Sequence, residues 1–133
     1  MWFDEHMLEL AFSARSSKFA GQTSFYAGLD EAERFAKHIE GFPSSADDSR
    51  EYEFGGSTVS GYGGAKLRLT CKDGTGHLIV QATIYRTSDS KPIRVAESAT
   101  IEFASVPSAV DSFVEDLRRM RVQIGDIAVL HRA

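Results

Sequence analysis

The single cysteine of this chain, Cys71, lies six residues before His77. A thiol with an imidazole in reach is the minimal kit for nucleophilic catalysis. The stretch that carries both, AKLRLTCKDGTGHLIVQATIYR over Ala65–Arg86, argues against that use. It reads as a β-hairpin. With Asp73-Gly74-Thr75-Gly76 as the loop, Lys72 faces His77, Cys71 meets Leu78, Leu69 meets Val80 and Leu67 meets Ala82. Each apolar residue of the first strand then falls opposite an apolar residue of the second, and a slip of one residue would turn all of them to water. That register sends Cys71 to the core face and His77 to the open face near the loop. Cys71 is read as a buried structural cysteine.

The remaining histidines, His6, His38 and His131, show no metal-ligand spacing with one another or with His77. Gly55–Gly64 holds five glycines, yet it lacks the Gly-Lys-Ser/Thr ending of a phosphate loop, and no helix follows to present its N-terminus. Asp73 alone supplies too few oxygens for a calcium loop. No cofactor or metal is assigned. Among carboxylates Glu97 stands out, because it shares a strand face with Val95, Ala99, Ile101 and Phe103. Buried there it would need a partner or a raised pKa. The plainer reading is a bulge that returns it to solvent, or a position beyond the edge of the helix layer.

The last candidate is a surface. The open face of the hairpin carries Lys66, Arg68, Thr70, Lys72, His77, Gln81 and Thr83, interrupted by Ile79. Lys66, Arg68 and Lys72, with His77 near the turn, make a basic stripe, with Tyr52, Phe54, Tyr62 and Tyr85 as aromatic area around it. Arginine and aromatic side chains carry much of the binding energy at protein interfaces. A solvated sheet face is also commonly charged, and that plainer reading competes.

These residues need elements to hold them. His6–Arg15 alternates, with Leu8, Leu10, Phe12 and Ala14 on one face, as in a half-buried strand. After the turn Ser16-Ser17-Lys18, a second strand runs through Phe19, Thr23 and Phe25. A helix is predicted from about Asp30 to Glu40, with Asp30 as N-cap, Glu33 as its capping-box partner and Ala32, Phe35, Ala36 and Ile39 as its buried stripe. Gly41 suits the left-handed position that closes a helix, and Pro43 prevents continuation. Glu51–Phe54 is a short strand with Tyr52 and Phe54 on one face. Ile93–Ala104 is the last strand. A second helix spans about Val106–Met120, with Pro107 in its first turn and Val106, Val110, Phe113, Val114, Leu117 and Met120 in its buried stripe. Residues 122–133 form a tail that could add an edge strand, dock, or pack on another subunit.

The expected fold is therefore one α+β domain over 1–133 in the order ββαββββα. It has a curved, mainly antiparallel sheet of about six strands, with two helices packed on one face. The chain has 133 residues, 42% hydrophobic and 26% charged, with a net charge of −4. That size supports a core without staples, and the acidic balance argues against a general nucleic-acid or anionic-membrane binder. One cysteine allows no intrachain disulfide. The start shows no basic region followed by an apolar one, and no apolar run is long enough to span a membrane, so a cytoplasmic address is expected.

Phe19-Ala20-Gly21, an acidic amphipathic helix ending Gly41-Phe42-Pro43, and the Asp73-Gly74-Thr75-Gly76-His77 hairpin together resemble small uncharacterised bacterial α+β proteins. Some of these sit beside immunity proteins of polymorphic toxin systems. The resemblance implies a fold and a bacterial origin, and it transfers no catalytic residue. The sequence then points to a non-enzymatic binding protein acting on a protein partner, with Lys66, Arg68, Lys72, His77, Tyr62 and Tyr85 as binding residues. The alternative is a small-ligand or enzymatic domain with a pocket near Glu97 between sheet and helices. A homodimer through the tail or an exposed edge strand is compatible with both.

Overall fold

A computed structural model describes residues 7–55, 63–72, 76–88, 95–120 and 127–132. They form β1 (Met7–Arg15), β2 (Ala20–Gly28), α1 (Glu31–Ile39), β3 (Ser49–Gly55), β4 (Gly63–Cys71), β5 (Leu78–Ser88), β6 (Val95–Ser105) and α2 (Pro107–Arg119). The central hairpin adopts the register its side chains demand: Cys71 lies opposite Leu78, Leu69 opposite Val80 and Leu67 opposite Ala82. Leu67, Leu69, Leu78, Val80 and Ala82 are all buried, because the two-residue period of a strand puts them on one face.

The sheet is not the expected single one of six strands. Strands β3-β4-β5-β6 form a four-stranded antiparallel meander, and β1-β2 form a separate two-stranded sheet. The reason is coverage. Helix α1 has nine residues, a length of about 14 Å, whereas the eleven residues of β5 extend over about 36 Å. Helices this short leave part of the apolar face bare. The first hairpin covers it by lying across the meander, where β2 contacts β3, β4 and β5. A Cβ added at Gly21 would fall 2.4 Å from the Ile84 side chain, so the two sheets meet closely there. The aromatic centre is Phe54, whose ring lies 5.8 Å from Phe12, 5.6 Å from Phe25 and 4.7 Å from Phe35.

Three local expectations are corrected. Phe19 is outside β2 and 73% exposed. The Ser16 hydroxyl accepts the Phe19 N–H at 3.1 Å, and the Ser16 N–H donates to the Phe19 carbonyl at 2.7 Å, which closes the turn before the strand begins. Helix α1 has no side-chain bond at its Asp30 N-cap. Glu33 instead pairs with Arg118 of α2 at 3.3 Å, and Arg118 also reaches Glu40 at 3.1 Å, so the cation bridges the two helices. Cys71 is half-buried rather than buried, with its Sγ 3.6 Å from the Ser45 carbonyl.

The end of α1 is secured from outside the helix. Gly41 adopts φ +74°, the left-handed conformation that its lack of a Cβ permits. The Arg50 guanidinium donates to the carbonyls of Glu40 at 2.7 Å and His38 at 3.3 Å, satisfying groups that a helix C-terminus leaves open. Arg50 also pairs with Asp48 at 2.8 Å, and Asp48 accepts the Ser44 backbone N–H at 2.8 Å. The Arg50 hydrogen bond, followed by that of Ser44, holds the Asp48 carboxyl down at about 2, against an ordinary 3.8. A carboxylate lowered on folding stabilises the fold fully above its unfolded pKa and loses that contribution as pH falls through the folded one. Acid titration of stability should therefore show wild type losing on the order of 1 kcal/mol between about pH 4 and pH 2 that Asp48→Asn does not lose. Parallel curves for the two proteins in that window would contradict this role.

The described part of the tail, 127–132, has no regular structure. Ala128 and Leu130 pack on the core, and the fully buried Ser105 hydroxyl donates to the His131 carbonyl at 2.6 Å. Of the arrangements the sequence allowed, these residues dock on their own domain.

Candidate functional site

Strand alternation assigns every second residue of the meander to the face opposite the core. Register then sets them in rungs: Glu51, Arg68, Gln81 and Glu102 form one, and Glu53, Lys66, Thr83 and Thr100 the next. The expected basic stripe is thus interleaved with acid. Lys66 lies 4.0 Å from Glu51, and Gln81 donates to Glu102 at 2.8 Å. Thr83 and Thr100 join their hydroxyls at 3.1 Å. Among the described residues Arg68 makes no ion pair, and it is exposed between Glu51 and Gln81.

Tyr85 is the organised aromatic of this face. Its Cα partner on β4 is Gly64, and a Cβ placed there would meet the Tyr85 ring at 2.4 Å. Because glycine has no side chain, the ring lies across β4, and its hydroxyl donates to Glu53 of β3 at 2.7 Å. Burial, then the hydrogen bond to Glu53, pushes the phenol up to about 12. It remains a neutral donor throughout the physiological range and is poorly matched to proton transfer there.

The other predicted site residues are distributed. Lys72 and His77 are exposed at the loop end of the central hairpin, where the Lys72 N–H donates to the His77 carbonyl at 3.1 Å. Tyr62 lies outside the described residues. Tyr52 and Phe54, expected near the open face, point into the core, as their alternation with Glu51 and Glu53 requires. Glu97 is exposed, together with Ala96, Ser98, Ala99 and Thr100. Its place beyond the covered part of the sheet explains how a carboxylate shares a face with Ile101. A depression of about 320 Å³ is lined by Ser13, Ala14, Arg15, Ala20, Gly21 and Gln22 of the first hairpin; Glu97 is not part of it.

One polar cluster escaped sequence reasoning. Glu31, in the first turn of α1, is buried, accepts a short hydrogen bond from the Tyr52 hydroxyl, and pairs with Arg34 at 3.1 Å. Burial, then the Glu31 hydrogen bond, raises Tyr52 to about 12. The Tyr52 ring also packs 5.0 Å from Phe35 and 5.4 Å from His38. The only sequence signal was Tyr52 on an apolar strand face, since a buried phenol needs a partner. Which residue that is depends on how α1 crosses β3. Among the described residues no three His, Cys, Asp or Glu side chains gather as a metal-binding group. No helix among them is long and apolar enough to cross a membrane. Comparison with protein-family models, with curated proteins and with solved structures finds no match.

Proposed function

We propose that this chain is a non-enzymatic binding protein that engages a protein partner through the open face of β3–β6, as an immunity-type or regulatory protein of a bacterium. The observation that carries this reading is the uneven cover of the meander. The apolar face is packed by the first hairpin and the helices. The other face presents exposed Arg68 beside Lys66 and a Tyr85 ring fixed by Glu53. Tyr85 is already held in one orientation, so a partner would lose little entropy in ordering it. The flanking carboxylates favour a partner with an acidic group for Arg68 and basic groups for Glu51 and Glu102.

The test is retention of a partner from a lysate of the native host by wild type, by Arg68→Glu, and by Arg119→Glu as a control on α2. Both variants change exposed residues, and unchanged melting would confirm that they fold. A partner kept by wild type and by Arg119→Glu but weakened roughly tenfold or more by Arg68→Glu supports the reading. Equal retention by all three proteins would remove the open face from consideration.

A further inference from the structure

The meander has two edges, and they are built differently. At one, β3 is seven residues long and carries Arg50, Glu51 and Glu53, with Arg50 committed to the end of α1. Charges and shortness are common ways of keeping a strand edge from pairing with another chain. At the other, β6 runs eleven residues as VAESATIEFAS, against a usual strand of about 5–6 residues. It contains no lysine, arginine or proline, and among the described residues it pairs only with β5. In its first half Ala96, Glu97, Ser98, Ala99 and Thr100 are all exposed in succession. An edge strand offers a row of outward N–H and C=O groups, and an extended backbone is what satisfies such a row.

We infer that β6 pairs antiparallel with β6 of a second copy, about a two-fold axis at Ser98, joining two four-stranded sheets into one continuous sheet. The exposed run is self-complementary in that register. Ser98 stands opposite Ser98 and Ala96 opposite Thr100, so small side chains meet on that face of the seam; on the other face Glu97 of each copy stands opposite Ala99, which leaves the two Glu97 carboxylates as exposed diagonal neighbours. Keeping both sheet faces continuous requires residues of the same face to stand opposite each other. Glu97 and Glu102 lie on opposite faces of β6, so no register that preserves the faces sets these two directly against each other. Within each copy Glu97 is the cross-strand register partner of Arg86 on β5. The buried end at Ser105, tied to His131, lies outside this seam. The inference stands on the edge alone and does not depend on the open face binding a partner.

Analytical ultracentrifugation over a wide concentration range tests it. Wild type should show a monomer–dimer equilibrium. Ser98→Lys, which sets two cations against each other at the axis, should weaken it by roughly tenfold or more while melting as wild type does. A second readout reports the register. In a Cys71→Ser background, which removes the native thiol, Ser98→Cys should form a covalent dimer under oxidised glutathione and Glu102→Cys should not. A wild type that stays monomeric throughout, or a dimer indifferent to Ser98→Lys, would overturn the inference. So would crosslinking through Glu102→Cys in place of Ser98→Cys. A monomer whose β6 amides become protected only on adding an extended peptide would also overturn it, in favour of a peptide ligand.

Discussion

Replacing Phe54 with alanine is expected to lower the unfolding free energy by about 3–5 kcal/mol, as measured by urea denaturation followed by circular dichroism. The magnitude follows from where the ring sits. Phe54 is 5% exposed and touches rings from three other elements: Phe12 of β1, Phe25 of β2 and Phe35 of α1. Its strand neighbour Tyr52 adds a T-shaped contact at 4.9 Å. Deleting the ring removes buried apolar area and leaves a cavity that no single element can collapse into, because its walls belong to two sheets and a helix. Phe54→Leu fills much of that space and should cost markedly less. A loss below about 1 kcal/mol for Phe54→Ala would mean that the first hairpin and the meander do not share this core.

Gly63→Ala should destabilise by about 1–3 kcal/mol for a different reason, that of overpacking. A Cβ at Gly63 would fall 2.2 Å from the Thr23 Oγ1, 2.8 Å from the Ser24 carbonyl oxygen and 3.1 Å from the Tyr85 carbonyl oxygen. The Thr23 hydroxyl is itself committed to the Tyr85 carbonyl at 3.2 Å, and the other two atoms are backbone. Relief requires lifting β2 from the meander, so hydrogen exchange should quicken in β2 more than in the hairpin of β4 and β5. Adding Thr23→Ala should not restore stability, since the Ser24 carbonyl still blocks the position. Full rescue by Thr23→Ala would show that only a side chain stood in the way. Wild-type stability for Gly63→Ala would show that the hairpin does not dock this closely.

Much of this architecture was legible because short-range constraints agreed with one another. In the central hairpin, loop length and two-residue alternation each select the same register, and the structure adopts it from Gly63 opposite Arg86 to Cys71 opposite Leu78. Helix α1 was bracketed by its apolar period and by Gly41, which takes the positive φ expected of it. The candidate site was legible only in part. Alternation places Arg68 and Lys66 on the open face, but the acids beside them come from β3 and β6. No pattern within β4 reveals which carboxylates its neighbours will bring alongside. Glu33 suited a capping box by spacing and was drawn instead to Arg118, seventy-eight or more residues from either of its two acidic partners. Glu31 gave no sign of burial, because its partner Tyr52 arrives from another element.

What the amino-acid sequence determined by itself is what depends on neighbours along the chain: strand faces, helix bounds and the register of the hairpin. Rotation per residue and turn geometry suffice to set these. Tertiary structure alone decided that the first hairpin would lie across the meander rather than extend it, that the open face would carry mixed charge, and that β6 would stand at the end of the four-stranded sheet with residues 96–100 exposed. Those outcomes depend on how much apolar surface two short helices can cover, a balance of areas summed over the whole molecule.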